Sequence, residues 1–349
     1  MRDEGNENAF ARPLSFVRHL QRDCAKEQVR LSMGLCMAAP FQGVKRAMTE
    51  RTGGENSVFI EENAPRDGIQ NESTPFTLDE RVALVNALSA CGFPRIQIGS
   101  FVNPDRVPQM AHTEELFHRI EHYPGVTYSA LVLNEKGLER ALACRMEHIS
   151  VFVSASESHS RKNSNCSVDE SLRRCRGLVD KAKSHGMKVQ AGVMNAFGCR
   201  FEGMVPPERV TGILETFQEC QVDEINLADT AGLANPKQIQ ALISRVRGVC
   251  DLPLSLHLHD TYGFALANVY AAWSLGISRF DACCGGLGGC PFIPGAAGNV
   301  ATEDVVHLFE SMGIPMGVSL VQVGKIVLDL EKKLGRLLPG RYARSLCCS

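Results

Sequence analysis

The sequence predicts an α/β fold and, within that class, a closed (β/α)8 TIM barrel. From Val58 onward, short β-rich runs alternate with longer amphipathic segments, and eight such runs are present. A chain of 349 residues suits one barrel of this kind with additions at its ends. An open doubly wound sheet is the alternative, but no G-x-G-x-x-G motif follows the first predicted strand. These observations favour the barrel.

The predicted strands are short and rich in β-branched or other apolar residues. In order, they are Val58–Glu62, Arg95–Gly99, Thr127–Val132, His148–Val153, Lys188–Val193, Glu224–Ala228, Leu254–His259 and Arg279–Cys283. The segments between them have helical periodicity and are Asp79–Ala90, Thr113–His122, Glu135–Arg145, Val168–Gly186, Pro207–Cys220, Pro236–Val249 and Ala265–Leu275. Thr77 and Asn235 are start signals for two of these helices, and Gly92, Gly186 and Gly276 are stop signals.

Residues 1–56 differ from the rest of the chain and predict an N-terminal extension ahead of a barrel domain at residues 57–349. The extension is rich in Arg, Asn and Met, has weak helical periodicity around Leu14–Leu20, and ends in the loop-like run Thr52–Asn56. We expect it to be partly helical or to form an oligomer contact, and no function follows from its composition. The barrel domain is expected to end in a short C-terminal helical tail.

Composition narrows the classes of function. The 44% of hydrophobic and 22% of charged residues are typical of a globular protein with a large core. A net charge of −2 without a basic patch argues against a nucleic-acid partner. No apolar run is long enough to predict a membrane span. The 14 cysteines form no regular framework and no secretory signal is present, so we expect reduced thiols and a cytoplasmic location.

Two histidines in the predicted seventh strand indicate a candidate metal site. On a strand, side chains at positions i and i+2 point to the same face, so His257 and His259 are expected to converge on one point. A buried histidine is more often a hydrogen-bonded core residue, and an H-x-H pair also arises by chance. The loops that follow other strands therefore decide between the two interpretations.

Polar residues follow several of the predicted strands. Arg66 and Asp67 come after the first strand, Asp229 lies in the loop after the sixth, and a glycine-rich segment that leads to Asn299 follows the eighth. Barrel enzymes build their active sites from loops at the carboxyl ends of the strands, which meet at one rim. Arg66 and Asp67 alone would suggest a surface ion pair. Together with the other loops they predict an active site at this rim.

These loops belong to a longer series of motifs that runs through the chain from about residue 58 to residue 316. The motifs are Pro65–Glu72, Ser100–Pro104, Val107–Met110, Ser154–Glu157, Lys162–Ser167, His257–Gly263, Gly286–Pro291 and Gly298–Asp304. In content and order they resemble the 3-hydroxy-3-methylglutaryl-CoA lyase family. That family is part of a metal-dependent TIM-barrel superfamily that also includes the isopropylmalate and homocitrate synthases.

The resemblance implies a divalent-metal-dependent lyase that acts on an acyl-CoA thioester, and it implies a homodimer. The implied metal ligands are Asp67, His257, His259 and Asn299. A site of nitrogen and oxygen donors suits Mg²⁺ or Mn²⁺, with Zn²⁺ or Co²⁺ as alternatives. Arg66 would stabilise the enolate oxygen of the departing acyl-CoA, and Cys290 would be the acid/base thiol.

Other positions carry supporting roles in the resemblance. Asp229 and Gln70 are expected around the metal and the substrate, and Ser156, Lys162 and Asn163 are expected to bind substrate. Glu62 and Glu303 are expected to support the metal ligands from behind.

Position 97 departs from the family, which has a glutamate three residues before its Ser-Phe-Val motif. Gln97 is isosteric with glutamate but neutral, and it cannot accept a proton. It leaves several functions open: the ordinary lyase with an altered rate, a lyase for a different 3-hydroxyacyl-CoA, or a barrel recruited to another reaction or inactive. A Claisen-condensing acyltransferase is a further alternative, although those relatives carry a Gly-Glu-Arg-x-Gly-Asn type of loop where this chain has Cys290 and Asn299.

Overall fold

Eight parallel strands, each paired with its neighbours in chain order, close into a barrel in a computed structural model that describes residues 57–289 and 298–346. The strands are β1 Phe59–Glu62, β2 Arg95–Ser100, β3 Thr127–Leu131, β4 His148–Ser154, β5 Lys188–Met194, β6 Glu224–Asp229, β7 Leu254–Leu258 and β8 Arg279–Ala282. The predicted barrel and its eight strands are confirmed. β7 ends one residue earlier than predicted, because His259 forms a backbone bridge to Asn299.

Helices follow most of the strands and surround the barrel. They are α1 Leu78–Ala90, α2 Thr113–Arg119, α3 Glu135–Ala143, α4 Glu157–Ser164, α5 Val168–Ser184, α6 Pro207–Glu219, α7 Pro236–Arg247, α8 Ala265–Trp273, α9 Thr302–Ser311, α10 Leu320–Leu334 and α11 Tyr342–Leu346. Thr77 and Asn235 cap α1 and α7 as predicted, each in a reciprocal capping box. The sequence did not predict α4, because its residues are almost all polar and have no apolar periodicity.

The C-terminal helices α10 and α11 form the predicted helical tail and support the loop after β8. The backbone N–H of Gly340, between the two helices, donates to the carbonyl of Gly285 in that loop at 3.0 Å. Asp304 of α9 accepts from the backbone N–H groups of Arg341 and Tyr342. The segment that leads into α11 is therefore fixed to the same rim as the candidate active site.

The inside of the barrel is polar. On β2, Arg95 and Gln97 point inward and contact side chains of other strands, while Ile96 and Ile98 alternate with them and pack in the apolar layer beneath the helices. Barrels of this class usually fill their interior with branched apolar residues. The apolar core of this protein consequently lies between the strands and the helices.

Arg95 organises the charges in the barrel interior. Its Nε lies 2.7 Å from the Glu61 carboxylate and its Nη2 lies 2.7 Å from the Glu224 carboxylate, and all three side chains are buried. Burial opposes the charged form of Arg95, but the charges of Glu61 and Glu224 outweigh it and raise the pKa of the guanidinium. The bottom of the barrel is thus held together by a buried ion-pair network.

Two further predictions from the sequence concern the N-terminal extension and membrane-spanning segments. The predicted N-terminal extension, residues 1–56, lies outside the described residues. Among the helices of residues 57–289 and 298–346, none combines the length and the apolar composition that crossing a bilayer requires.

Removal of the buried guanidinium is expected to destabilise the fold. Arg95→Met leaves Glu61 and Glu224 charged and poorly paired in the interior, so the free energy of unfolding in urea should fall by about 3–5 kcal/mol. Arg119→Met is the matched control, because Arg119 pairs with Asp79 at the surface. Its loss should stay below about 1 kcal/mol. Equal losses for the two variants would contradict this account of the interior.

Candidate active site

Three side chains from separate parts of the sequence meet at the rim of the barrel. The Nε2 atoms of His257 and His259 lie 3.1 Å apart, and they lie 3.7 Å and 3.8 Å from Oδ2 of Asp67. The possible ligand atoms of the three residues all lie within 4.8 Å of one another. Both histidines are buried. The convergence that the H-x-H spacing predicts is therefore present, and a carboxylate completes the group.

The local backbone explains this convergence. His257 belongs to β7 and points inward, and His259 is held just past the end of that strand by its bridge to Asn299. Asp67 lies in a single π-helical turn, Ala64–Gly68, that directly follows β1. Such turns are rare and often occur at functional sites, because the wider turn redirects a side chain. Here it carries the carboxylate of Asp67 over the mouth of the barrel.

Asn299 is the fourth predicted ligand, and it lies beside the group. Its Nδ2 donates to Oδ2 of Asp67 at 2.8 Å and to the carbonyl of Leu287 at 3.0 Å. Its Oδ1 is buried and accepts no hydrogen bond from any described residue. A buried amide oxygen without a donor is an unmet acceptor, which a cation would satisfy.

The donor set fits a divalent cation. Adjacent ligands of an octahedral ion with bonds of about 2.1 Å are separated by roughly 3.0 Å. The 3.1 Å between the two imidazole nitrogens of His257 and His259 matches that separation. Among the described residues no thiolate belongs to the group, which also distinguishes it from a structural zinc site.

The protonation states of His259 and Asp67 suit the same role. Burial lowers the pKa of His259 to about 4, so its imidazole is neutral near pH 7. Burial opposes ionisation of Asp67, but the charge of Arg66 and the neighbouring histidines outweigh it and lower its pKa far below the usual range. A neutral imidazole and an ionised carboxylate are the forms that bind metals.

Asp281 of β8 fixes the orientation of His257. Its Oδ2 lies 3.1 Å from Nδ1 of His257 and accepts from Nδ2 of Asn226 at 3.1 Å. A proton on Nδ1 leaves the lone pair of Nε2 directed at the site, which is the usual arrangement behind a metal-binding histidine. Sequence reasoning missed Asp281. A carboxylate between the apolar residues Phe280 and Ala282 of a predicted strand was the available signal.

Arg66 places a cation next to this group. Its Nη1 donates to Oδ1 of Asp67, and its Nε donates to Oε1 of Gln97. Nη2 donates to no residue within the described ranges, and the residue as a whole is only 6% exposed. The guanidinium is therefore held at two nitrogens and has a third available to a ligand.

Asp229 ends β6 on the same rim, and its carboxylate shapes the next loop. The two oxygens accept from the backbone N–H groups of Leu233 and Ala234 at 2.9 Å and 3.0 Å. Burial raises its pKa to about 6 despite these hydrogen bonds. Asp229 lies on the strand beside β7, where the residue before it, Ala228, pairs with His257.

Glu62 and Glu303 lie behind the rim and hold its loops. Glu62 accepts from the backbone N–H groups of Ala64 and Cys284 and from the hydroxyl of Thr302. Glu303 accepts from the backbone N–H of Gly285 at 2.9 Å. The first carboxylate thus joins the turn that carries Asp67 to the loop after β8, and the second fixes that loop from the side of α9.

The residues predicted to bind substrate occupy two environments. Ser156 is buried, donates to Sγ of Cys199 at 2.9 Å and caps α4 through the N–H of His159. Lys162 and Asn163 lie exposed on α4, and Nζ of Lys162 lies 3.6 Å from the centre of the Phe201 ring.

Gln70 and Cys290 complete the predicted set. Gln70 is partly exposed just after the turn that carries Asp67. Cys290 falls in residues 290–297, which lie outside the described residues.

The glycines that flank this segment bring two stretches of backbone together. Gly288 has a φ of +103°, and a Cβ there would lie 2.6 Å from Nδ2 of Asn299. A Cβ on Gly298 would lie 2.4 Å from the carbonyl oxygen of Gly288. Only glycine permits this approach, so the glycine-rich sequence is needed to seat Asn299.

Comparison with known proteins agrees with this geometry. The HMGL-like family model matches residues 57–328, which hold Asp67, both histidines and Asn299. The chain belongs to the HMGL-like family.

Relatives that are named as acyl-CoA lyases align with most of the chain. A hydroxymethylglutaryl-CoA lyase of Bacillus subtilis is 40% identical over 81% of this chain and 95% of its own length. A 3-hydroxy-3-isohexenylglutaryl-CoA/hydroxymethylglutaryl-CoA lyase of Pseudomonas aeruginosa is 40% identical over 83% of this chain and 97% of its own. An (R)-citramalyl-CoA lyase of Chloroflexus aurantiacus is 41% identical over 83% and 95%.

Solved structures show the same fold. The crystal structure of hydroxymethylglutaryl-CoA lyase from Pseudomonas aeruginosa superposes with a TM-score of 0.81 at 39% identity, over 84% of this chain and 98% of that one. An Acinetobacter baumannii HMG-CoA lyase in complex with coenzyme A and 3-methylmalate superposes with a TM-score of 0.80 at 36% identity, over 84% and 96%.

Loss of the Asp281 carboxylate is expected to weaken metal binding. Asp281→Ala removes both the hydrogen bond and the charge behind His257, so the dissociation constant for Mn²⁺, measured by calorimetry, should rise about 10–100-fold. Asp281→Asn is the matched control, since its amide oxygen can still accept from Nδ1, and its effect should be smaller. An unchanged affinity in the alanine variant would show that Asp281 does not orient the ligand.

The burial of Glu303 predicts a pH-dependent stability. Burial, followed by the charges of Asp304 and Glu62, raises its pKa from 4.5 to about 8. Its contribution to the free energy of unfolding is therefore fully present below about pH 4.5 and is lost as the pH rises through about 8. Glu303→Gln cannot ionise, so it should become more stable than the wild type above about pH 8.

Urea unfolding of both proteins across this pH range measures the difference. Glu310→Gln is the matched control, because Glu310 is exposed on the same helix and should not alter the pH dependence. If Glu303→Gln followed the wild-type curve at every pH, ionisation of this carboxyl would not be coupled to folding.

Proposed function

We propose that the protein is a divalent-metal-dependent lyase for a 3-hydroxy-3-methylglutaryl-CoA-like thioester, which it cleaves to acetyl-CoA and a 3-oxo acid. With the standard substrate the oxo acid is acetoacetate. The enzyme is a carbon–carbon lyase. The observation that carries the proposal is the group formed by Asp67, His257 and His259 with the guanidinium of Arg66 against the same carboxylate. A metal-binding group and a fixed cation side by side are what a retro-Claisen cleavage requires.

The reaction needs three events. The tertiary hydroxyl gives its proton to a general base, the adjacent C–C bond breaks so that its electron pair passes to the thioester enolate while the hydroxyl carbon becomes the ketone of the 3-oxo acid, and the enolate carbon is then protonated. Asp67, His257, His259 and Asn299 would hold a divalent cation. When bound, such a cation lowers the pKa of the substrate hydroxyl and orients it with the neighbouring carboxylate.

Arg66 acts on the thioester oxygen, where negative charge develops. Its guanidinium is already fixed by Asp67 and Gln97, so it needs no reorganisation when the charge appears. We assign the final proton donor to Cys290, whose thiol would protonate the enolate carbon to give acetyl-CoA. Asp229 supports the reaction by fixing the loop after β6, and Gln70 stands at the edge of the site.

The relatives support the class of substrate more strongly than the individual substrate. Proteins that are 40–41% identical to this chain act on hydroxymethylglutaryl-CoA, on its isohexenyl analogue or on citramalyl-CoA, according to their names. A lyase for another 3-hydroxyacyl-CoA is therefore the second candidate, and the neutral Gln97 beside Arg66 is the observation that favours it.

The cofactor, the assembly and the location complete the proposal. We propose Mg²⁺ or Mn²⁺ as the cofactor, because the donors are imidazole nitrogens and oxygens without a thiolate. A homodimer and a cytoplasmic location stay predictions from the sequence.

A panel of thioesters tests the function. With Mg²⁺ or Mn²⁺ present, we expect acetyl-CoA release from 3-hydroxy-3-methylglutaryl-CoA or a 3-alkyl analogue, and pyruvate release from citramalyl-CoA would identify the alternative. Removal of the cation with a chelator should abolish cleavage. Arg66→Lys should lower kcat about 10²–10³-fold, because a single ammonium cannot replace the two-point guanidinium. Failure to cleave any of these thioesters would refute the proposal.

A further inference from the structure

Gln97 lies inside the barrel with both ends of its side chain engaged. It is fully buried, and its Oε1 accepts from Nε of Arg66. Its Nε2 donates to Oγ of Ser150 at 3.1 Å and faces Oε1 of Glu61 at 3.5 Å. An amide has one accepting end and one donating end. The donating end must therefore face these acceptors, and the accepting end must face the guanidinium.

The hydrogen bonds beyond Gln97 keep the same order from donor to acceptor. The hydroxyl proton of Ser150 is donated to Oε1 of Gln190 at 2.9 Å, which leaves the lone pairs of Ser150 for Gln97. Nε2 of Gln190 in turn donates to Glu224 at 2.8 Å and to Glu61 at 3.3 Å. All donors in this chain point away from Arg66, and the chain ends on carboxylates.

Glu61 explains why an amide stands at position 97. Its Oε1 accepts from Oγ of Ser129 at 2.6 Å, and its Oε2 pairs with Nε of Arg95 at 2.7 Å. A glutamate at position 97 would bring a second buried carboxylate to about the same distance from Glu61, where two like charges disfavour ionisation of both. The carboxylate that the resemblance places at position 97 is thus replaced by one on the neighbouring strand.

We propose that Gln97 is a positioning residue for Arg66 and that Glu61 is the residue that makes glutamine, rather than glutamate, the functional choice there. The proposal rests on the proposed function only in its activity readout. Gln97 holds Nε of Arg66 with a neutral oxygen and Asp67 holds Nη1 with its carboxylate, so the two residues together fix the guanidinium. The amide of Gln97 therefore fits the donor and the acceptors around it, and its function does not require a carboxylate at position 97.

Four proteins test this pairing: the wild type, Gln97→Glu, Glu61→Gln, and the variant with both changes. Turnover of 3-hydroxy-3-methylglutaryl-CoA and the affinity for Mn²⁺ are measured for each. Gln97→Glu should lower kcat about tenfold or more, with the Mn²⁺ dissociation constant changed less than about twofold, because the metal ligands are not touched. The double variant should recover kcat to within about threefold of the wild type, since one carboxylate and one amide again face each other.

A second series keeps the test valid if Glu61→Gln fails to fold. Ser150→Ala interrupts the chain one step further from Arg66, and it should lower kcat less than Gln97→Leu, which removes the acceptor altogether. In protein labelled with ¹⁵N-arginine, the Nε–H signal of Arg66 should be protected from exchange in the wild type and unprotected in Gln97→Leu. This readout does not depend on turnover, so an inactive wild type would refute the proposed function without deciding the positioning role.

Three results would overturn the pairing. The first is a kcat of Gln97→Glu equal to or above that of the wild type, which would mean that glutamine impairs the site. The second is a double variant no more active than Gln97→Glu. The third is equally fast exchange of the Arg66 Nε–H in the wild type and in Gln97→Leu. Each outcome contradicts the positioning of Arg66 by Gln97 and Glu61.

Discussion

The pairing of β1 with β8 is the contact on which the site depends. Four consecutive residues of β1 pair with four of β8, and this seam closes the barrel. Asp67 follows β1 and Asn299 follows β8, so closure brings together two of the proposed metal ligands, which are 232 residues apart in the sequence. The neighbouring pairing of β7 with β8 places Asp281 beside His257. Glu62 strengthens the seam from outside, because it accepts hydrogen bonds from both loops.

The polar interior of the barrel adds little to the stability of the fold, but it orients the side chains of the candidate site. Replacing a buried ion-pair network with well-packed apolar residues often leaves a protein equally stable or more stable, so a network such as Arg95, Glu61 and Glu224 is weak support for stability. Each hydrogen bond of the network, however, runs from a fixed donor to a fixed acceptor. Fully satisfied networks fix one arrangement of donors and acceptors. Here that arrangement reaches Arg66 through Gln97 and His257 through Asp281, so the interior sets the orientation of the groups at the rim.

The sequence predicts some parts of this structure well, for physical reasons. Strand and helix periodicities have short range, so all eight strands and most helices follow from them, whereas α4 has no apolar pattern and was missed. His257 and His259 converge through the two-residue period of a strand. Asp67 and Asn299 were assigned by resemblance alone, because their proximity arises from barrel closure and a π-helical turn.

The meaning of Gln97 shows the limit of prediction from one position. In the sequence it is a neutral residue where an acid is expected, which suggests an impaired or altered enzyme. Strand register favours another interpretation, since it places Glu61 next to Arg95 and within reach of the amide. Two like unit charges 4 Å apart repel by about 4 kcal/mol at an effective dielectric constant of 20, so a glutamate at position 97 would be strongly disfavoured in its ionised form beside Glu61. The amide avoids this repulsion and still offers Arg66 an oxygen acceptor. The neutral residue therefore holds the guanidinium in place without adding a second buried charge beside Glu61.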